Sequence, residues 1–425
     1  MSNFVLETRE YAGADFGAIA AETANNLLDS ISITDWRGLS SPAQVKEKLL
    51  TAAAARPGDV AAERTTEFAD GELAAFLKTA IDRFGSNGKL TQEQLKTAMC
   101  SPGLSIPETS ALFTLDWWAK ANSVRGNITR EHFNTMCTAL ERKVTGQPMT
   151  ADQTSTAEGL NVMNWAYRRD LNEVNPKVYA NEADPLKSIT PEACVQPIGV
   201  GNCHFVAAMA SLAALNPARI KEMITDNKNG TFTVTFPGQK PVTVNAPTRG
   251  EMLYYEMPSK NGTWPAVLMK AFGKFSSPST ARDMEGAGGS IAAYGLKILG
   301  GHGVDIDQNF LTTYGTMHSK LEANLKNHRP MIAGINNEFW SLFGLSDNKE
   351  DSTGLQCGHA YSVLNFSPNP ADPQKAMITL RNPYGENSWF NGKPPDCITD
   401  LGGGKFQMSL YDFSRLFSDI AYAKK

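Results

Sequence analysis

The residues Val200-Gly201-Asn202-Cys203-His204 lead from a glycine-bearing loop into the apolar run Phe205 to Leu212, which puts a thiol at a helix start. Unpaired N–H groups and the positive end of the helix dipole favour a thiolate there, and would draw its pKa from about 8.5 towards neutral or below. Such a sulfur attacks carbonyl carbons. The alternative is a small apolar residue at the cap of a core helix. Two later stretches supply the partners a thiolate needs, Gly358-His359-Ala360-Tyr361-Ser362-Val363 and Arg381-Asn382-Pro383-Tyr384-Gly385-Glu386. Cysteine, histidine and asparagine in that chain order fit an imidazole that takes the thiol proton and an amide that orients the imidazole. His359 as a core histidine at a strand end, and Asn382 as a plain turn asparagine before Pro383, are the corresponding alternatives.

These motifs resemble the protease core of the calpain family, a branch of the papain-like cysteine peptidases. That family carries Gly-Asp-Cys-Trp before an Ala/Leu-rich helix, then Gly-His-Ala-Tyr-Ser-Val, then Arg-Asn-Pro-Trp-Gly-Glu. Here Gly201-Asn202-Cys203-His204 stands for the first, Gly358 to Val363 matches the second without a break, and Arg381 to Glu386 follows the third. Trp264 to Phe272 and Phe406 to Phe413 echo two further family segments, so the likeness runs from about residue 190 to the end. The gap from Cys203 to His359 is slightly beyond the about 130 to 150 residues of papain-type enzymes. The resemblance implies Cys203 as nucleophile, His359 as acid and base, and Asn382 as the group that fixes the ring.

One oxyanion donor would be the backbone N–H of Cys203. For the second, the family has a glutamine six residues before the cysteine, where this chain has Pro197; Gln196 lies one residue further off. A bulge through Pro197-Ile198-Gly199 would bring Gln196 back to the site, and otherwise it is an ordinary loop residue. His204 replaces the family's tryptophan and would make the cleft wall more polar. It would not be the base, because adjacent residues at a helix start point in different directions. Tyr384, where the family has tryptophan, or Trp389 would shield the Asn–His hydrogen bond, or else belong to the core.

The chain has 425 residues, which suggests two or three domains. A net charge of −4 gives no electrostatic reason to expect nucleic acid as a partner. The six cysteines have neither metal-ligand nor disulfide-framework spacing, so no metal site is expected. The N-terminus lacks the basic and apolar regions of a signal peptide, and no run of 18 apolar residues suggests a membrane span. The expectation is a soluble monomer in a reducing compartment, cytoplasmic or exported by a route without a cleaved N-terminal signal. Its partner would be a protein or peptide substrate.

Several elements must hold these residues. Leu73, Phe76, Leu77, Ile81 and Phe84 recur at helical spacing after a candidate N-cap at Asp70. Gly88 and Gly126 each stand two positions before an aliphatic residue and then threonine, between helical patterns, and resemble a pair of EF-hands over about 68–142. Their loop positions 1, 3 and 12 would be Arg83, Gly85 and Gln94, and Ala121, Ser123 and His132, where calcium needs carboxylates. The pair is therefore degenerate; an unrelated helical domain is the alternative. Residues 146–189 read as a linker and a wrapping segment, with one docked helix near Val162 to Tyr167. Gly230 to Phe236 and Pro241 to Val244 read as a hairpin, and Met331 to Ile335, His359 to Phe366 and Ala376 to Leu380 as strands.

The fold class implied is α+β: an all-α EF-hand-like domain (1–145), then a papain-like core. Within the core, a helical half (190–307) carries the nucleophile and a β-rich half (308–425) carries His359 and Asn382. The activity implied is that of a cysteine endopeptidase. Two other readings remain, a deamidase or transamidase acting on protein glutamine with the same triad, and a catalytically silent protein-binding scaffold. The resemblance also implies calcium, bound by core loops in conventional members. Here Asn387 to Lys405 offers only Asp396 and Asp400, with Glu386 nearby, so activity without calcium or any other cofactor is expected.

Overall fold

The computed structural model describes residues 70–124, 126–196, 201–255, 259–277, 292–301, 303–309, 311–335, 353–389 and 392–424. The bulge expected through Pro197-Ile198-Gly199 lies outside them. The chain divides into two compact units, the first running through Asn172 with Thr248–Gly250, the second comprising Glu173–Pro247 and Glu251–Lys425.

The first unit holds α1 (Asp70–Phe84), β1 (Lys89–Leu90), α2 (Gln92–Met99), α3 (Ile106–Ala121), β2 (Ile128–Thr129), α4 (Arg130–Thr145) and most of α5 (Ala151–Glu173). The loops after α1 and α3 are joined by antiparallel pairing, Lys89 opposite Thr129 and Leu90 opposite Ile128. Thr91 and Ser105 open their helices with capping boxes that satisfy orphan N–H groups at both ends of the box. Arg83 pairs with Glu108.

Helix α5 runs through the stretch expected as a linker. Its buried face mixes Leu160, Met163 and Tyr167 with Ala157, Gly159, Asn164 and Asp170. A search for large apolar residues therefore finds only its middle. Gly159 allows close approach, since a Cβ there would stand 2.9 Å from the Trp117 ring. Asn164 is satisfied by the Ser110 hydroxyl at 2.9 Å. The following residues wrap the second unit: Thr263 and Trp264 donate backbone N–H groups to the carbonyls of Lys177 and Val178.

The second unit is the α+β core. Its helices are α6 (Cys203–Leu215), α7 (Pro217–Met223), α8 (Arg249–Tyr255), α9 (Trp264–Ser276), α10 (Ala292–Gly300), α11 (Tyr314–Lys326) and α12 (Leu410–Leu416). A small antiparallel sheet joins β3 (Ile224–Asp226), β4 (Thr231–Val234) and β5 (Val242–Asn245), one strand more than the expected hairpin. The main sheet contains β6 (Val304–Gln308), β7 (Met331–Ile335), β8 (His359–Ser367), β9 (Met377–Arg381), β10 (Thr399–Gly402), β11 (Lys405–Ser409) and β12 (Asp419–Ala423). Its order is β10-β11-β9-β8-β7-β12-β6. The sheet thus begins at Val304, slightly before the expected boundary, because β6 pairs with β12 although three of its five residues are polar.

Helix α6 is buried all round, from His204 to Ala213. Such a helix must be covered on every side. It packs on β7 and β8, and α10 crosses it closely at Gly295, where a Cβ would stand 2.7 Å from the His204 carbonyl. The opposite sheet face is filled by Met317, Leu321, Tyr361, Phe406, Phe413 and Phe417. Lys270 and Glu251, both buried, meet at 2.7 Å, as interior charges must. Among the described residues no helix is long and apolar enough to cross a membrane.

Candidate active site

Asn202 precedes α6 with an open backbone, and its side chain does not cap the helix. The Asn202 amide instead donates to the Tyr255 carbonyl at 2.8 Å, so it leaves the N–H groups of Cys203 and His204 uncapped. The sulfur of the half-buried Cys203 faces the backbone N–H groups of Ala360, His204 and Cys203 itself. The helix start alone would lower the thiol pKa, but burial outweighs it and these N–H groups offset only part, leaving the thiol above its ordinary value. The expected depression is thus reversed in the resting arrangement, because desolvation is set by chain segments remote in sequence.

Ala360 is the neighbour of His359, the first residue of β8. A single side chain locks α6 to this strand. The buried Ser211 hydroxyl donates to the Val363 carbonyl on β8 at 2.8 Å and accepts the Met331 N–H of β7 at 2.9 Å. Ser211 thereby ties α6 to the strand that carries His359.

His359 is 7% exposed and faces Asn382, which follows β9, with Nε2 3.0 Å from Oδ1. The backbone N–H of Tyr384 donates to that same Oδ1 at 3.1 Å. A backbone N–H can only donate, so the shared atom is the amide oxygen. Nε2 must then carry the ring proton, which leaves Nδ1 with a free lone pair for a thiol proton. Burial lowers the His359 pKa to about 4, although the Asn382 hydrogen bond works in the opposite direction. The ring is neutral at physiological pH.

Tyr384 stacks on the His359 ring, with centroids 4.8 Å apart and planes 14° from parallel. Its phenol is held above its ordinary pKa by burial and then by the neighbouring Cys203. Of the two shielding candidates it is Tyr384 that covers the imidazole. Trp389 sits elsewhere, with its indole N–H on Asp400 at 2.5 Å and its ring edge-on to Phe406. His204 is not a polar wall residue: it is 1% exposed, lies against Phe272, and is brought to a pKa of about 4 by burial. Position 204 follows the helix period into the interior, which adjacency to Cys203 does not reveal.

Gln196 is 3% exposed and its backbone N–H donates to the Pro383 carbonyl at 2.8 Å. Nearby, Arg381 donates to the Cys194 carbonyl at 2.7 Å, and Lys405 pairs with Glu192 at 3.0 Å. The Asn382 turn also rests on the β10–β11 turn, where Asn382 N–H donates to the Gly404 carbonyl at 2.9 Å. A Cβ on Gly404, which has φ +74°, would come within 3.0 Å of Asn382, Gly385 and Glu386 backbone. Ser211 and Gly404 carry no sequence signal, and Arg381 only that of opening the Arg381–Glu386 motif, since their work is done across the fold.

In the loop after Asn382 the described Asp400 carboxylate is already engaged by donors. Calcium takes six to eight converging oxygens. Here the carboxylate of Asp400 is met by donors instead: the Gly402 N–H at 2.9 Å, the Asn387 amide at 3.3 Å and the Trp389 indole. Among the described residues no three His, Cys, Asp or Glu side chains are grouped to hold a metal.

The model of the family described as calpain family cysteine protease matches residues 150–424. The chain is 27% identical over 270 residues to Calpain-5 of Mus musculus, covering 52% of this chain and 41% of that protein. It is 29% identical over 259 residues to Calpain clp-1 of Caenorhabditis elegans, covering 52% and 30%. With Calpain-A of Drosophila melanogaster it shares 26% over 269 residues, covering 53% and 30%. The chain thus spans less than half the length of these relatives.

Proposed function

The chain belongs to the calpain family of cysteine proteases, and from that premise we propose that Cys203, His359 and Asn382 are the triad with which it hydrolyses peptide bonds in proteins, without a need for calcium. The observation that carries the reading is the Asn382 oxygen shared between Tyr384 N–H and His359 Nε2, which leaves Nδ1 as the proton acceptor on the residue beside Ala360.

His359 Nδ1 takes the thiol proton as sulfur attacks the carbonyl carbon. With the thiol raised and the imidazole lowered by burial, that transfer accompanies the attack rather than preceding it. The negative oxygen of the tetrahedral intermediate accepts from the Cys203 backbone N–H and the Gln196 side-chain amide. The carbon–nitrogen bond then breaks as the imidazolium gives its proton to the departing amine. Water, losing a proton to the same ring, opens the thioester and restores the thiol. Tyr384 keeps water off the Asn–His bond.

Independence from calcium is supported by the donors around Asp400 and by Lys405 beside Glu192. In the first unit we read α1 to α4 as an EF-hand pair stripped of ligands. The β1–β2 pairing supports this, as does the use of the residues at loop position 12, Gln94 and His132, whose side chains accept the backbone N–H groups of Thr91 and Thr129. A monomeric, cytoplasmic enzyme completes the reading, in keeping with six cysteines that are all free thiols.

Digestion of an unstructured protein by wild type and Cys203→Ala, each with and without a calcium chelator, tests it. New peptide ends from wild type in chelator, and none from the variant, are expected. Cleavage by Cys203→Ala, or loss of activity restored by calcium, would contradict the respective half of the proposal. Ammonia release without new peptide ends would replace hydrolysis of peptide bonds by deamidation.

A further inference from the structure

Gln196 cannot inherit its position from the nucleophile helix. Six residues separate it from Cys203, among them Pro197, Gly199 and Gly201. Its backbone is fixed from the opposite side, by β9 and the turn that follows.

Arg381, the last residue of β9, is the largest element of that attachment. Its side chain is 1% exposed, although a buried guanidinium is costly unless its donors are used. Nη1 donates to the carbonyl of Cys194, itself fully buried, at 2.7 Å. Two residues on, Gln196 N–H donates to Pro383 at 2.8 Å, just past the other end of the Arg381–Asn382 pair. Between them Val195 packs on the Gly385 turn, where an added Cβ would stand 3.4 Å from a valine methyl and 3.5 Å from Arg381 Nη2. The segment 194–196 is thereby strapped to the Asn382 turn at both ends. A charge-assisted bond from a rigid planar fork suits this task better than the flexible point charge of a lysine.

We propose that Arg381 is a positioning residue for the oxyanion hole: through the Cys194 carbonyl it sets the segment that carries Gln196 against the turn that carries Asn382, so that the oxyanion donor and the triad are held as one assembly. The inference rests on Gln196 being that donor. It also distinguishes two effects of losing Arg381. Acyl transfer needs the donor, whereas alkylation of the thiol by iodoacetamide forms no oxyanion and needs only Cys203 and His359.

The test is a cycle of wild type, Gln196→Ala, Arg381→Met and the double variant, read by kcat and KM on a peptide substrate and by the pH profile of Cys203 alkylation. A full oxyanion donor is worth about 100-fold to 1000-fold in kcat. Arg381→Met, which displaces the donor without deleting it, should lose about 10-fold to 100-fold in kcat, with KM and the alkylation profile little changed. Added to Gln196→Ala it should cost less than about threefold more. Arg381→Lys, which keeps a donor with shorter reach, should recover part of the loss and replaces Arg381→Met in the cycle if that variant does not fold. Equal losses from the arginine substitution in both backgrounds would overturn the proposal, as would a parallel fall in alkylation. Full activity of Gln196→Ala would remove the oxyanion assignment itself, a failure visible without any arginine variant.

Discussion

His204 offers a sharp test of how burial has reshaped this site. Its ring is 1% exposed, packs against Phe272, and has no hydrogen-bond partner on either nitrogen among the described residues. Burial brings its pKa from 6.5 to about 4. Because the folded value is the lower one, the unfolded chain takes up the proton first as pH falls. The stability tied to the neutral ring is therefore complete above pH 6.5 and disappears between there and pH 4. A shift of that size corresponds to about 3 kcal/mol between the two limits. His204→Phe keeps an aromatic ring of similar shape and removes the titration. Urea unfolding of both proteins at a series of pH values should give curves that converge least at acid pH, the variant being more stable by about 3 kcal/mol near pH 4 relative to the difference at pH 7. At neutral pH it should be no less stable, since two unpaired nitrogens leave the interior. Carboxylates and His359 titrate in both proteins and cancel in the comparison. A difference that stays flat with pH would show that the ring is solvated or paired in the folded chain, and the burial argument would fail with it.

Two further outcomes follow from the same geometry. Ser211→Ala removes the hydroxyl shared by β7 and β8 and leaves the Met331 N–H and Val363 carbonyl without their present partner; urea unfolding should show a loss of about 1–3 kcal/mol, and an unchanged midpoint would show that the two strands do not depend on it. The pH profile of kcat/KM should have its acid limb near 4, where His359 takes up a proton and can no longer accept one from sulfur; activity that is still full well below that pH would mean another base.

The side chains proposed as catalytic were readable because each lies in a short motif with its own local logic: a glycine loop before an apolar helix, a histidine opening a strand, an asparagine before proline. Their surroundings were not. The thiol pKa is raised rather than lowered because α6 is buried on all sides by segments distant in the chain, and burial is a tertiary property. Tyr384 and Trp389 were equal candidates on spacing, and only the folded turn decides which ring meets His359. Only the middle of helix α5 was legible, because much of its packed face is alanine, glycine and asparagine, whose role depends on what lies opposite. Ser211, Arg381 and Gly404 act on residues more than a hundred positions away or on backbone brought close by folding, and no periodicity marks them.

The central claim is that sulfur, imidazole and carboxamide converge, and the rate at which iodoacetamide alkylates each cysteine, measured against pH in wild type and His359→Ala, tests it most directly. Cys203 should react well ahead of the other five cysteines in wild type, with a rate that falls as His359 is protonated, and should lose both the advantage and the acid limb in the variant. Equal labelling of all six, or a Cys203 profile indifferent to the loss of His359, would contradict it.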